Sequence, residues 1–328
     1  MATTQLSDVI VPTQFTQYIV NNTMERTALY QAGVAVKNAA MQEQLIAGAE
    51  SFSTPFWRDL ASDDANVVSD DPAVLAVPRK LSSGKQVVRK SFLHSSWAAM
   101  NLASELSGSD PLARIQDRTV NYWDRQMQRR MIASLQGIQA DNVANDAGDM
   151  QLDISALVGA LAKFSASAVI DCAATLGDGL EGLTAIGMHS AVFTYAMKND
   201  LIATVPQSEG KFIKTFRGLA VIVDDGLPVA TGNYTTVLFG PGAVGYGASE
   251  PRIAAGTEIE NAPSAGDGGG QQTLHSRMNM AIHPLGFCWK EVAVVGKSPT
   301  TAELRTATNW DRVSERKSIP LAFLVSKI

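Results

Sequence analysis

Apolar and polar positions follow different periods in different parts of this chain, and the changes of period divide it. The clearest run starts at Pro111. Leu112, Ile115, Tyr122, Trp123, Met127, Met131, Ile132 and Leu135 recur at near-helical spacing and make one apolar stripe. The pattern predicts a helix over 111–136, roughly 39 Å long at about 1.5 Å per residue. Ser109 or Asp110 stands where a cap belongs, and Pro111 suits the first turn. Arg114, Arg118, Arg125, Arg129 and Arg130 lie mostly off the stripe, as a solvated face or as a surface for acidic partners.

Ahead of this helix the pattern is extended and broken. The stretch "SFSTPFWRDLASDDANVVSDDPAVLAVPRKLSSGKQVVRKSF" holds prolines at 55, 72 and 78 and alternating runs such as "KQVVRKSF". Its charges are sorted: Asp59, Asp63, Asp64, Asp70 and Asp71 come first, then Arg79, Lys80, Lys85, Arg89 and Lys90. Two readings stay open. One is a solvated loop with chance clustering; the other is a long projecting hairpin whose limbs pair with each other or with neighbouring copies. Exposed pairs contribute only about 0–1 kcal/mol each, so such charges would set partner choice rather than stability. Residues 1–48 read as an arm, with helix-compatible stretches at "FTQYIVNNTMERTALYQAG" and "NAAMQEQLIAG" but no dominant apolar face.

Beyond the turn-rich "ADNVANDAGDM" the pattern becomes mixed α/β. "DISALVGALAKF" and "AVIDCAATL" read as helices, "LTAIGMH" as a strand, and "SAVFTYAMKNDLI" as a helix capped by Ser190. "GLAVIVDDGLPV" reads as strand and turn, and "YTTVLFGPGAVGYG" as strand and loop. Two strands flank the flexible tip "SAGDGGGQQ", and the chain closes with a short helix, a polar connection and a strand.

Composition narrows the function classes. The chain has 328 residues, enough for one large domain or two modest ones, and no apolar run reaches the roughly 18 residues of a membrane span. The start "MATTQLSDVIVP" has neither the basic and apolar regions of a secretory leader nor a myristoylation glycine. Cys172 and Cys288 read as two buried thiols in a reducing compartment. A net charge of −5 is the wrong balance for gripping nucleic acid through its phosphates, though an acidic wall can face DNA without holding it.

Candidate chemistry is thin. Gly240, Gly242 and Gly245 spell G-x-G-x-x-G after a β-type run, the pattern that opens a dinucleotide site. Such a site needs a helix to follow, and Gly247 and Pro251 interrupt one within two turns. "VVGKSPT" lacks the first glycine of a phosphate loop. His94, His189, His275 and His283 have no ligand spacing, with His283 a packed strand residue. Asp224-Asp225-Gly226 reads as a turn after a buried strand. No catalytic, cofactor or metal residue is expected.

The order of parts, with "GLTAIGMHSAVFTYAMKNDLI", "FRGLAVIVDDGLPV", "YTTVLFGPGAVGYG", "MAIHPLGFCWK" and the ending "PTTAELRTATNWDRV…RKSIPLAF", resembles the major capsid proteins of tailed double-stranded DNA bacteriophages. The phrases are specific in combination and weak singly, and the resemblance covers nearly the whole chain. It implies an α+β chain of the Hong Kong 97-type fold: an N-terminal arm (1–48), an extended β-hairpin loop (49–95), a peripheral domain (96–150 and 290–328) with the long spine helix, and an α/β axial domain (151–289). It implies identical copies that form hexamers and pentamers and close into an icosahedral shell around DNA, a virion component assembled in the host bacterial cytoplasm. Asp63, Asp64, Asp70, Asp71, Arg79, Lys80, Lys85, Arg89 and Lys90 are then candidates for contact with a neighbouring subunit, as are Arg125, Arg129 and Arg130 on the spine helix.

Some relatives carry a cleaved scaffolding segment of about a hundred residues. Only about 48 residues precede the loop here, so a separate scaffolding protein is expected, with a portal and a decoration protein as further candidate partners. Some relatives cross-link Lys to Asn between subunits; Lys80, Lys85 and Lys90 lie in the right region but read as an ordinary basic limb. The alternatives are a non-viral encapsulin-like shell protein and a nucleotide-binding enzyme built on Gly240, Gly242 and Gly245.

Overall fold

The computed structural model describes residues 28–328 apart from 33, 61–62, 69, 74 and 207–211. The helix-compatible stretch at 15–33 lies mostly outside the described residues; α1 (Ala28–Gln31) is its described part. Strand β1 (Ala35–Lys37), helix α2 (Ala39–Ile46), the hairpin strands β2 (Ser51–Trp57) and β3 (Ser83–Arg89), and β4 (Ser91–Met100) follow. Short α3 (Asn101–Ser107) then leads to the long α4 (Pro111–Asn145). Next come β5 (Gln151–Asp153), α5 (Ala166–Ala173), β6 (Ala185–Met188), α6 (Ser190–Lys198), β7 (Ala203–Pro206), β8 (Phe212–Phe216) and β9 (Leu219–Val223). The chain continues through β10 (Val229–Ala230), β11 (Asn233–Phe239), β12 (Val244–Ser249), β13 (Thr257–Ala262) and β14 (Gln271–Pro284). It ends with β15 (Phe287–Trp289), α7 (Thr301–Leu304), β16 (Trp310–Arg312) and β17 (Leu321–Ser326).

Helix α4 starts as its sequence dictates. Asp110 Oδ1 accepts from the N–H groups of Leu112 (2.9 Å) and Ala113 (3.3 Å), and Pro111 fills the first turn. It does not stop near 136, as expected, but runs to Asn145. The reason is tertiary: Asp141 and Asn142 are wholly buried, Asn145 donates to Asp141 Oδ1 at 2.7 Å, and Asn142 pairs with Asp149 and the Met150 N–H. Polar residues that favour turns are held in helix because their side chains find buried partners there.

Two further expectations fail locally. No α-helix forms over 153–164. Asp153 instead accepts from the Ser155 N–H at 2.9 Å, β5 pairs in parallel with β17, and one 3₁₀ turn follows at Gly159–Ala162. Helix α6 is capped by His189, whose Nδ1 accepts from the Ala191 N–H at 3.1 Å, and not by Ser190.

Two sheets organise the rest. One has eight strands in the order β5-β17-β11-β6-β9-β8-β7 with β10 beside β11; the other runs β1-β12-β14-β13 with β4 also paired to β14. These pairings cut across the boundaries expected from sequence. Strand β17, from the 290–328 segment, lies between β5 and β11; β12, β13 and β14, from the 151–289 segment, share a sheet with β4. Alternation along β11 explains the layering. Val237 and Phe239 face a core with Met131, Ile132, Leu135 and Ile138 of α4, whereas Leu238 faces a second core with Phe164, Cys172, Val192 and Phe216. Farther forward, Trp123 and Met127 pack on Met280 of β14. One helix therefore covers both sheets, its first half on the smaller and its second on the larger.

Candidate assembly surfaces

The hairpin forms a two-stranded sheet of its own, with Val88 at its root packed on Ala281 of β14. Among the described residues strands β2 and β3 pair only with each other, Ser51 opposite Arg89 through Trp57 opposite Ser83. Pro55 is tolerated on this two-stranded ribbon because no third strand needs its missing N–H. At the far end of the ribbon and beyond it, Trp57, Leu60, Val67, Val68, Leu75 and Val77 are 69–95% exposed. A monomer in water rarely presents so many apolar side chains on one segment.

The sorted charges divide into two groups. Asp63, Asp64, Asp70, Asp71, Lys80 and Lys85 are exposed. Arg79 bends back to the acidic limb, but it donates to the backbone oxygens of Asp64 (2.8 Å) and Asp63 (3.5 Å) and to Asn66 Oδ1 (3.4 Å). The limbs meet here through carbonyl groups.

Arg89 and Lys90, expected as surface charges, are buried at the hairpin's root. Arg89 pairs with Glu50 (3.2 Å) and Glu291 (2.9 Å) and donates to Lys297 O (2.9 Å). Lys90 donates from Nζ to Ala47 O at 2.8 Å, under the Phe52 ring, and burial lowers its pKa. Its amine is committed to that carbonyl within the subunit. Arg130 is likewise buried rather than solvated. It donates to Ser91 Oγ (2.6 Å) and Pro299 O (2.7 Å), and desolvation lowers its pKa to about 10. Glu50, Glu291 and Lys297 escaped the sequence reading. Glu50 could have been found, since it directly precedes the strand whose partner ends at Arg89.

Arg125 and Arg129 stay near the surface of α4. Arg125 lines a groove of about 240 Å³ with Arg114, Arg118, Tyr122 and Trp97. Arg129 and Arg305 line a cleft of about 990 Å³ together with Ser190, Asp224 and Asp225. The Asp224-Asp225-Gly226 step is the expected turn. Asp224 accepts from the Gly226 N–H at 2.7 Å and from Gln128 of α4, and Asp225 accepts from the Ser190 N–H at 3.1 Å. Its carboxylates hold elements together.

The glycine motif is not a phosphate loop. Its last glycine lies within strand β12, so no helix N-terminus faces a ligand. Gly242, at φ 72°, turns the chain from the large sheet to the small one. A Cβ at Gly245 or Gly247 would lie 3.1 Å from Met41 Sδ or Leu45 Cδ1, so these glycines let α2 lie across the strand. His283 is buried with Nε2 donating to Phe287 O at 2.8 Å, and desolvation lowers its pKa to about 4. Both cysteines are free thiols, and burial raises that of Cys172 to about 12. Among the described residues no acidic, histidine or cysteine cluster fits a metal, and no helix is long and apolar enough to cross a membrane.

A family described as major capsid protein 13-like matches residues 122–319. The major capsid protein of Bacillus phage SPP1 is 36% identical over 327 residues, 97% of each chain. The chain belongs to the phage major capsid protein family. As a major capsid protein it is a structural component of the virion shell. Solved structures carry the fold. The capsid of cyanophage Pam1 matches with a TM-score of 0.60 at 11% identity, over 96% of each chain. The capsid of Myoviridae phage XM1 matches at 0.57 and 11%, over 95% of this chain and 96% of the other. The SrpI encapsulin of Synechococcus elongatus PCC 7942 matches at 0.53 and 10%, over 99% and 95%. The architecture is thus the Hong Kong 97-type capsid fold. Phage coat proteins and encapsulins share it, and the sequence likeness is what places this capsid protein on the phage side.

Proposed function

We propose that this major capsid protein assembles through its hairpin into hexamers and pentamers that close as an icosahedral shell around the double-stranded DNA of a tailed phage. The observation that carries this reading is the hairpin itself, a two-stranded ribbon whose far end exposes six large apolar side chains. Covering a Val or Leu side chain stabilises by about 1.5–3 kcal/mol, against about 0–1 kcal/mol for an exposed ion pair. The apolar residues supply affinity when the hairpin lies on a second copy, and Asp63, Asp64, Asp70, Asp71, Arg79, Lys80 and Lys85 choose the partner surface. Arg125 and Arg129 are the spine-helix residues placed to meet them; Arg89, Lys90 and Arg130 fix the hairpin to its own body.

In this reading the axial unit is the eight-stranded sheet with α5 and α6, and the peripheral unit is the five-stranded sheet with the first half of α4. A separate scaffolding protein, a portal and a decoration protein complete the particle. The subunit does no chemistry, and its net charge of −5 suits a wall that encloses DNA without binding it. Electron microscopy of the purified protein tests the proposal. Capsomers or closed shells are expected, and small soluble oligomers under every assembly condition would contradict it. An enzyme cargo in place of DNA in native particles would move it to the encapsulin side.

A further inference from the structure

We propose that the root of the hairpin holds one monatomic anion, of chloride size, in a small cavity between Arg89, Arg130 and Trp289. The cavity measures about 10 Å³, room for roughly one water-sized sphere. That excludes phosphate, sulfate or a carboxylate. Its wall brings together the hairpin root (Arg89, Ser91), helix α4 (Arg130, Ser134), β14 (His283) and β15 (Trp289).

The polar groups of this wall divide cleanly. Ser134 Oγ donates to Arg130 O at 3.0 Å, His283 Nε2 to Phe287 O, and Trp310 Nε1 to Leu304 O at 2.8 Å. Among the described residues two N–H groups of this wall are left over: Arg89 Nε and Trp289 Nε1, both buried without a partner, on residues 6% and 4% exposed. Both are N–H donors. What the site lacks is an acceptor able to take two hydrogen bonds at once, and leaving either donor unpaired costs free energy.

Charge decides what kind of acceptor. Arg89, Lys90 and Arg130 bring three buried cations to the root; Glu50 and Glu291 bring two carboxylates, and Lys297, 88% exposed, pairs with Glu50. Those carboxylates lie toward solvent, 46% and 41% exposed, and pair with Arg89. Arg130 meets neutral acceptors, and its pKa of about 10 keeps it charged at neutral pH. His283 is neutral there and adds no charge. A water could fill the space and accept both N–H groups, but it would leave buried positive charge uncompensated, which is costly. An anion does both.

The occupant would bridge the hairpin root to α4 and the small sheet, so its presence would stiffen the hairpin's attachment. The test is thermal unfolding of the full chain in sodium chloride and in sodium gluconate at equal ionic strength, so that general screening cancels. A saturable, chloride-specific rise in midpoint is expected, equivalent to about elevenfold in the folding equilibrium at ten times the dissociation constant. Trp289→Phe should abolish the difference between the two salts, whatever its own midpoint. Crystals grown in bromide should show an anomalous peak within hydrogen-bonding reach of Arg89 Nε and Trp289 Nε1. Equal midpoints in the two salts, a chloride gain that survives Trp289→Phe, or an ordered water with no anomalous signal would each overturn the proposal.

Discussion

Trp123 on the long helix donates its indole N–H to Ser276 Oγ on β14 at 2.9 Å, and both residues are buried. This bond fixes how the helix is placed along the small sheet, because an apolar contact alone would allow it to slide. Trp123→Phe keeps most of the ring, removes the donor and strands a buried hydroxyl. A loss of about 2 kcal/mol is expected. Ser276→Ala should cost less, and the double mutant should fall short of additivity by about 1 kcal/mol in urea unfolding of the subunit. Additive losses would mean that the two side chains do not interact in solution.

Gly137 sits in the middle of α4, where alanine is normally the better residue by about 1 kcal/mol. Here a Cβ would run into Leu304 O and the Trp310 indole, which hydrogen-bond to each other against the bare helix backbone. Gly137→Ala should therefore destabilise, by about 2 kcal/mol after its better helix propensity is allowed for. A raised melting temperature for that variant would show that α7 and β16 pack more loosely than the structure has them.

Those two positions also mark where sequence was legible. The stripe from Leu112 to Leu135 and the Asp110-Pro111 start could be read directly, since period and capping are local properties. The end of α4 could not, because Asp141 and Asn142 are held by partners in the next turn and beyond. Sheet membership was hidden for the same reason: pairing of Val237 with Phe323 joins segments 86 residues apart. Alternation in "KQVVRKSF" revealed the hairpin strand but not which end was buried. Arg89 and Lys90 looked like the rest of a basic limb until Glu291 and Lys297 arrived from the far end of the chain. Gly245 completed an apparent ligand motif because close approach of a helix and close approach of a phosphate make the same demand on side-chain size.

Buried His283 makes stability depend on pH. Its pKa falls from 6.5 to about 4 on folding, chiefly through desolvation. Between those values the unfolded chain binds a proton that the folded chain refuses, so stability rises with pH across the window and is lost as pH falls from 6.5 toward 4. The full effect is about 3 kcal/mol. His283→Gln keeps a donor for Phe287 O but cannot titrate. Its stability curve, measured by denaturant unfolding at a series of pH values, should be flatter than the parent's across that interval. Parallel curves would assign the acid sensitivity to other groups.

The tip charges offer the sharpest separation of folding from assembly. Asp63, Asp64, Asp70 and Asp71 are all exposed on a segment that contributes nothing to either main core. Changing the four to Lys should leave the subunit's circular dichroism unchanged and its unfolding free energy within about 0.5 kcal/mol of the parent. Yet it places positive charge where a neighbour's Arg125 and Arg129 are proposed to lie, and like charges at an interface cost several kcal/mol. Folded subunits that fail to close shells by electron microscopy are therefore expected. Raising the salt should recover part of the assembly, because these charges are screened over about 10 Å at 0.1 M. Normal shells from the reversed variant would leave the apolar tip as the sole determinant of docking and would remove the charge code from the proposal.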